Sequence, residues 1–218
     1  MKIPFKYFEA IEKRTWLLGI LTAAFLSLGG LAEITPLFAA ANSVKAPEGV
    51  KPYSAERLAG FEVYVHNGCY LCHSQMIRHL SFETERYGPA SVAEESVFDR
   101  PMQWGSKRTG PDLARIGGKY SDAWQRQHLI DPRSVVHESN MPKYGWLEDK
   151  TVNAKTLQNR MRAMRKLGTP YTDEEIEAAF TDVEGKSQMD VLIAYLQGLG
   201  IDNKAPANET QDKEVDHL

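Results

Sequence analysis

Apolar residues near the start of the chain form one long uncharged run rather than an alternating pattern. Residues 17–32 read LLGILTAAFLSLGGLA, sixteen positions without a charge, and ITPLFAAA follows Glu33. Sixteen helical residues extend over ~24 Å, and the apolar residues on either side bring the segment close to the ~30 Å of a bilayer core. The pattern therefore predicts a membrane-spanning helix, which Pro36 would kink or end near the far interface.

Charges on the two sides of this segment predict its orientation. Four basic residues precede it, whereas only Lys45 follows soon after; the four are Lys2, Lys6, Lys13 and Arg14. The positive-inside bias keeps the N-terminus in the cytoplasm and sends residues from about 42 onward across the membrane, into the periplasm of a bacterium. A cleaved signal peptide is the alternative, since Phe38–Ala41 resembles a cleavage site. The length of the apolar run and the charge of Glu33 favour a retained anchor.

The rest of the chain has the apolar spacing of helices and little strand signal. Three groups of apolar residues recur at helical intervals: Leu58, Phe61, Tyr64 and Val65; Leu157, Met161, Met164 and Leu167; Met189, Leu192, Ile193 and Leu196. Ser54 is a suitable N-cap for the first group, and Thr172 with Glu175 forms a capping-box pattern. Gly60 lies where the first and last of these helices would cross. The sequence predicts a mainly α protein.

Composition shifts divide the chain into four parts. Residues 1–41 are the cytoplasmic N-terminus and anchor, and residues 42–53 form a linker with two prolines and a glycine. Residues 54–200 form one helical domain, in which 146–188 is an insertion without an assigned role. Residues 201–218 are a polar tail, which we expect to be flexible.

The totals for the 218 residues exclude several classes of protein. A composition of 42% apolar and 25% charged residues is ordinary for a globular protein. The formal net charge of −3 argues against a general nucleic-acid-binding protein, which would have a strongly basic face. The only two cysteines, at 69 and 72, cannot form a scaffold of several disulfides.

The sequence Cys69-Tyr-Leu-Cys72-His73 contains the most informative chemistry. Two residues between the cysteines allow both sulfurs to form thioethers with the vinyl groups of one haem, and the adjacent histidine then binds the iron. A thioredoxin-like dithiol is the first alternative, but it requires a βαβ pattern that is absent here. A zinc site is the second, but it requires further ligands at matching spacing, which His66 and His79 do not supply.

A second iron ligand must come from farther along the chain. We favour Met141, because Pro142 holds the preceding residue in an extended conformation that suits a side chain presented from a loop. Met141 as a filler of the core is the plainer interpretation. Met102 in a loop remains an alternative, and His128 or His137 would give bis-histidine coordination with a lower potential than histidine–methionine.

Other residues have predicted supporting roles around this site. The carbonyl of Pro111, in Gly-Pro-Asp-Leu, is suited to accept the second N–H of the His73 imidazole. Four residues are candidates to hold the haem propionates: Arg115, Lys119, Tyr120 and Trp124. Each of these assignments competes with an ordinary turn, surface or core role.

Four stretches extend these motifs into a resemblance to a known family; they are residues 29–34, 64–79, 103–113 and 128–144. Together they resemble the mono-haem c subunits of the cbb3-type cytochrome c oxidases, whose exported part is a class I cytochrome c domain. The resemblance implies a position beside a large catalytic membrane subunit with haem b and a haem–copper centre. It also implies electron transfer from a di-haem c subunit towards haem b, and a calcium ion near a subunit contact that Ser106 touches.

Three hypotheses follow from the motif and the resemblance. The first is an electron-transfer subunit of a respiratory terminal oxidase, on which no substrate is transformed. The second is a free-standing, membrane-tethered cytochrome c that shuttles electrons between complexes. The third is an enzyme such as a peroxidase, which would need an open iron position; Met141 as a ligand argues against it.

Overall fold

The computed structural model describes residues 5–40, 46 and 49–202, and all regular elements within them are helical. In these ranges β-type pairing is limited to an isolated bridge between Thr151 and Ser187. The predicted mainly α fold is therefore confirmed. Half of the predicted linker 42–53 and most of the predicted tail 201–218 lie outside the described residues, so both remain predictions.

Residues 1–45 form the first of two units. Helix α1 spans Phe5–Glu12 and helix α2 spans Thr15–Ala40. Within α2, the 22 residues Thr15–Pro36 have a mean hydropathy of 1.9, and no part of their most apolar stretch is buried in the protein. At 1.5 Å per residue this segment is ~33 Å long, enough to cross a bilayer core. It is the one candidate membrane span among the described residues, consistent with a membrane anchor.

Of the two alternatives predicted for Pro36, an end of the helix is wrong, and a kink stays a prediction. Helix α2 continues for four residues beyond Pro36 to Ala40. Proline lacks only one N–H and therefore removes only one hydrogen bond of the helix. Just before it, the Thr35 hydroxyl donates to the Leu31 carbonyl at 2.6 Å, which adds a side-chain bond to the same turn.

Residues 46–218 form the second unit, and its described part contains seven α-helices. They are α3 Ala55–His66, α4 Ser81–Tyr87, α5 Asp122–Ile130, α6 Pro132–Val135, α7 Ala154–Lys166, α8 Asp173–Val183 and α9 Gln188–Gly198. Short 3₁₀ turns occupy Cys69–Leu71, Ala93–Ser96 and Gly145–Leu147. Long loops connect α3 to α5, and these loops carry the predicted chemical motifs.

Helices α3 and α9 cross at Gly60, as the sequence predicts. Ser54 caps α3 through the Arg57 N–H, and a capping box with Ser187 begins α9. A Cβ atom on Gly60 would overlap the carbonyl oxygen of Val191 and lie 2.6 Å from the Cβ of Tyr195. Only glycine allows the two backbones to approach this closely.

Aromatic side chains fill the space beside this crossing. The rings of Phe61 and Tyr195 pack edge to face with centroids 5.7 Å apart, and Tyr64 lies 5.6 Å from Tyr195. All three side chains are almost completely buried. Each such pair contributes ~0.5–1.5 kcal/mol beyond its burial, and together they fix the end of α3 from which the cysteine motif continues.

The predicted insertion 146–188 belongs to the same unit. Helices α7 and α8 pack against each other and against α3 through apolar residues predicted to lie in the core: Leu157, Met161 and Met164. Leu167, which shares their spacing, is instead exposed. Helix α7 ends at Lys166, and the left-handed Gly168 turns the chain away, so Leu167 has no neighbouring face to pack on. The predicted capping box of Thr172 and Glu175 is present.

Candidate functional site

The cysteine motif forms one compact turn after α3. Gly68 adopts a left-handed conformation (φ 68°), and the 3₁₀ turn Cys69–Leu71 follows it. The backbone N–H of His73 donates to the carbonyl of Cys69 at 3.0 Å. Both cysteines are free thiols; Cys69 is half-buried and Cys72 is exposed. The turn therefore holds two thiols and an imidazole close together.

A backbone carbonyl fixes the imidazole of His73. Its Nδ1 atom lies 2.8 Å from the Pro111 carbonyl oxygen, the contact predicted from the Gly-Pro turn. Burial lowers the pKa of His73, although the hydrogen bond to Pro111 opposes the shift. A neutral imidazole that donates from Nδ1 has its lone pair on Nε2, which is the form that binds a metal.

The two segments beside this contact are joined by further hydrogen bonds. The Gly110 N–H donates to the Cys72 carbonyl at 3.0 Å, and the Leu113 N–H donates to the Ser74 carbonyl at 2.9 Å. A Cβ atom on Gly110 would overlap the His73 ring, at 2.8 Å from Nδ1 and 2.9 Å from Nε2. Glycine at this position therefore lets the loop lie flat against the imidazole.

The Cys69 thiol lacks the lowered pKa of a redox dithiol, and the described residues around it lack the ligand group of a zinc site. Burial raises the pKa of the Cys69 thiol to about 12, whereas reactive dithiols have a lowered pKa. Across the described ranges, no three His, Cys, Asp or Glu side chains form a group that could hold a metal ion. Both alternatives to haem attachment are therefore disfavoured.

The loop that carries Met141 approaches the same turn. Met141 is partly buried against the core cluster, as is Cys69. The Tyr144 N–H donates to the Leu129 carbonyl at 2.8 Å, which ties the loop to α5. Burial raises the pKa of the Tyr144 hydroxyl, and Cys69 and Cys72 are near enough to add to the shift.

Three rings on α5 and just before it form a stack. Tyr120 stacks on Trp124 with centroids 3.9 Å apart, and Trp124 stacks on His128 at 4.8 Å. Burial, and next the neighbouring His73, lower the pKa of His128. Its buried Nδ1 has no hydrogen-bond partner among the residues the structure describes. The stack therefore extends from the surface towards the imidazole of His73.

The remaining predicted site residues lie elsewhere. The Arg115 guanidinium donates to Glu95 at 2.7 Å, and the Lys119 ammonium group lies 3.5 Å from the Tyr87 carbonyl, so their charged ends contact the segment 87–95. Two alternative iron ligands, Met102 and His137, are exposed, as is Ser106. The roles proposed for these residues therefore remain predictions.

The donors present fit a covalently held haem. Two free thiols and an imidazole with an open Nε2 lie on one turn, and the loop of Met141 approaches it. Partly buried apolar side chains suited to a porphyrin face pack against the same core cluster as Cys69: Leu113, Ile116, Met141 and Tyr144. Apolar surroundings of this kind are typical of cofactor sites.

Sequence reasoning did not identify two contacts of this site. The Tyr64 hydroxyl donates to the His73 carbonyl at 3.2 Å, although the sequence indicated only a packing role for Tyr64. Arg108 forms a buried ion pair with Glu83, which lies 25 positions before it. No local pattern identifies a pair so far apart in the chain.

Comparison with known proteins agrees with this geometry. The chain matches the family described as cytochrome c oxidase, mono-heme subunit/FixO over residues 8–190. No curated protein matches the chain. The family match covers most of the 218 residues, including α2, the cysteine turn and the Met141 loop. The chain belongs to the FixO family, the mono-haem subunits of the cbb3-type cytochrome c oxidases.

Proposed function

We propose that this chain is the mono-haem c electron-transfer subunit of a respiratory terminal oxidase. It receives electrons from a c-type cytochrome partner, the di-haem c subunit, and passes them towards haem b of the catalytic subunit, where oxygen is reduced. The chain transforms no substrate of its own. The bound iron would supply a one-electron ferric/ferrous couple with an unchanged pair of axial ligands.

The observation that carries the proposal is the 2.8 Å contact between His73 Nδ1 and the Pro111 carbonyl, on the turn that holds both free cysteines. This contact fixes the tautomer and the direction of the ring, so Nε2 is the atom that binds iron. Each thiol would add its S–H across one haem vinyl group, which forms a thioether and requires no oxidant.

Met141 is the proposed second iron ligand. A hydrogen bond from Tyr144 ties its loop to α5, and Met141 packs against the same core cluster as Cys69. A methionine on the second face raises the potential relative to a second histidine and leaves no open position for a substrate. Tyr120 and Trp124 remain the predicted propionate contacts, together with Arg115 and Lys119, and a calcium contact at Ser106 also remains a prediction.

The proposed location is the bacterial inner membrane, with α2 as a single-pass anchor. Lys13 and Arg14 directly precede α2, and the positive-inside bias assigns this end to the cytoplasm. The helical unit would then lie in the periplasm, a setting in which haem is attached to exported chains. The domain bounds predicted from the sequence fit this arrangement.

The test begins with native membranes extracted in mild detergent. An affinity tag following residue 218 would be used to isolate the chain, and reduced and carbon-monoxide difference spectra of the isolated particle would be recorded. We expect haem c, haem b and a carbon-monoxide-binding centre together in one particle. A Cys69→Ser, Cys72→Ser double variant serves as the control, because it removes the attachment sites but leaves α2 unchanged.

The outcome distinguishes the two electron-transfer hypotheses. A particle that contains only low-spin haem c, without haem b, contradicts the subunit assignment and favours the tethered shuttle. A carbon-monoxide complex on the haem c of this chain would instead indicate an open iron position and contradict Met141 as a ligand.

A further inference from the structure

A cluster of charged side chains contacts the segment that follows His73. Its members come from three separate parts of the chain and are joined by ion pairs; they are Arg78, Glu83, Arg108 and Asp112. The side chains of Glu83 and Asp112 are completely buried. Buried carboxylates are rare unless they are paired, so such a cluster requires a specific arrangement.

Arg108 is the centre of this cluster. Its Nε donates to the Ser74 hydroxyl at 2.7 Å, and its Nη2 donates to the Met76 carbonyl at 2.9 Å. The same Nη2 is 2.7 Å from Glu83 Oε2 and 3.3 Å from Asp112 Oδ2. One guanidinium thus contacts the segment after His73, the short helix α4 and the loop after Pro111.

Asp112 also joins the 74–76 segment to the loop after Pro111. Its Oδ2 accepts from the Ser74 hydroxyl at 2.6 Å and from the Met76 N–H at 3.0 Å, while its Oδ1 accepts from the Ala114 N–H at 2.8 Å. Asp112 directly follows Pro111, the residue whose carbonyl holds the His73 imidazole. The cluster therefore bonds both segments that flank the His73–Pro111 contact.

Glu83 secures Arg108 in this position. It accepts from Arg108, from the side chain of Arg78 and from the Arg78 N–H at 2.9 Å. The hydrogen bond from Arg108, above all, lowers the pKa of Glu83 to about 2, so the carboxylate is ionised at neutral pH. Planar guanidinium groups with charged partners give well-defined geometry, which a lysine cannot reproduce.

We propose that Arg108, held by Glu83 and Asp112, is a positioning residue for His73. It keeps the 74–76 segment and the Pro111 loop in register, and so sets the direction of the imidazole and the strength of its Nδ1–H···O bond. This bond determines how strongly the imidazole donates to a bound iron, and thus contributes to the redox potential. The inference rests on the proposed function, in which His73 is the proximal ligand.

Two substitutions that remove charges of opposite sign distinguish a positioning effect on the potential from a purely electrostatic one. Arg108→Gln removes a positive charge and Glu83→Gln removes a negative one, so a purely Coulombic effect would shift the potential in opposite directions. Both substitutions loosen the same cluster. If positioning dominates, both weaken the Nδ1–H···O bond, reduce donation to the iron and raise the potential.

The experiment uses the full chain with its haem in detergent. The solvent-exchange rate of the His73 Nδ1 proton is measured by NMR in the reduced state, together with the midpoint potential. We expect exchange to be roughly tenfold faster in both variants, because local opening becomes more frequent, and both potentials to rise. Glu62→Gln is the control, since Glu62 pairs with Arg160 in the same unit and forms no bond to either segment.

Unchanged exchange in the two variants, or potentials that shift in opposite directions, would overturn the inference even if the melting temperature falls. Arg108→Lys keeps the positive charge but loses the planar guanidinium with its several N–H donors. We expect the same faster exchange and raised potential as in Arg108→Gln. Wild-type values of both in the lysine variant would overturn the inference. If Arg108→Gln fails to fold, Arg108→Lys replaces it: because the charge is unchanged, a Coulombic effect predicts no shift, whereas positioning predicts faster exchange and a raised potential. A wild-type chain without haem would contradict the proposed function instead.

Discussion

The Nδ1 atom of His73 lies 2.8 Å from the carbonyl oxygen of Pro111, although the two residues are 38 positions apart in the chain. Proline has no N–H of its own to compete for the space, and its fixed φ restricts the carbonyl direction. The contact thus depends on how the whole 108–113 loop lies against the cysteine turn. Gly110 is where that approach is closest.

Substitution of Gly110 by alanine should displace the imidazole of His73. The new Cβ would overlap the imidazole ring. The ring has little room to move away, because Ser74, the next residue in the chain, is buried. We expect a large loss of the low-spin haem spectrum in Gly110→Ala, measured per mole of purified chain. Gly105→Ala is the control, because nothing lies within 4 Å of the Cβ position of Gly105. Equal spectra for the two variants would contradict the described geometry.

Met141→Ala should keep the haem attached but lower its midpoint potential. In the proposed function the haem is attached through Cys69 and Cys72, so its attachment does not depend on Met141. Loss of the methionine sulfur, by contrast, removes an iron ligand that raises the potential. The measurement is a redox titration of the full chain in detergent, with the pyridine haemochrome as a check of attachment. Met102→Ala is the matched variant, and its potential should not change. The reverse pattern would identify Met102 as the ligand.

Gly60→Ala should destabilise the helical unit by about 3 kcal/mol, the upper part of the usual range for overpacking. Alanine has the better intrinsic helix propensity by ~1 kcal/mol, but the overlap with the Val191 carbonyl outweighs this gain. Denaturant unfolding followed by circular dichroism measures the change. Gly145→Ala serves as the control, since its nearest neighbour is an Ile130 methyl group at 3.9 Å. An unfolding free energy for Gly60→Ala equal to that of the wild type would show that the helices do not cross at this point.

Because the buried Asp99 carboxyl resists ionisation, the free energy of unfolding of the domain should fall as the pH rises from about 4 to about 7. Burial raises the pKa of this carboxyl from 3.8 to about 7, although the neighbouring Tyr53 hydroxyl and the charge of Arg100 oppose the shift. In that range the unfolded chain has released a proton that the folded chain still holds, so stability falls with pH and is constant above about 7. The total change is at most about 4 kcal/mol, at ~1.36 kcal/mol per pKa unit.

Asp99→Asn should remove this dependence and stabilise the protein at pH 8. Unfolding free energies at pH 5, 6, 7 and 8 test the prediction, with the exposed Asp149→Asn as the control. A variant whose slope with pH matches the wild type would assign the titration to another group.

Local patterns were sufficient to predict the longer helices of the core and the cysteine motif, but not the short helices α4 and α6. The spacing of Met161 and Met164, the capping box at Thr172 and the crossing at Gly60 all depend on neighbouring residues or on the absence of a side chain, so they can be read directly from the sequence. Leu167 shows the limit of such patterns. It has the right spacing, but the helix ends one residue before it.

Contacts between distant segments were much harder to predict. Glu83 resembles any glutamate of an exposed short helix, and only the folded chain brings Arg108 against it. The same holds for His128, whose place beside His73 follows from the packing of α5 rather than from a local motif. The hydrogen bond from His73 to Pro111 was predictable because proline restricts the backbone and offers only a carbonyl acceptor, with no N–H of its own.

The close approach of α3 and α9 at Gly60 also determines when the domain can close during synthesis. Gly60 emerges from the ribosome early, whereas Val191, the residue that fills the space beside it, is among the last of the helical unit to appear. A core built on such a long-range contact cannot form on the nascent chain until almost all of the unit is available, and loop closure over this length slows its formation. Until then the cysteine turn has no core to pack against. The free thiols of Cys69 and Cys72 therefore stay accessible for as long as the helical unit is incomplete, and the chain is least protected from proteolysis during the same period.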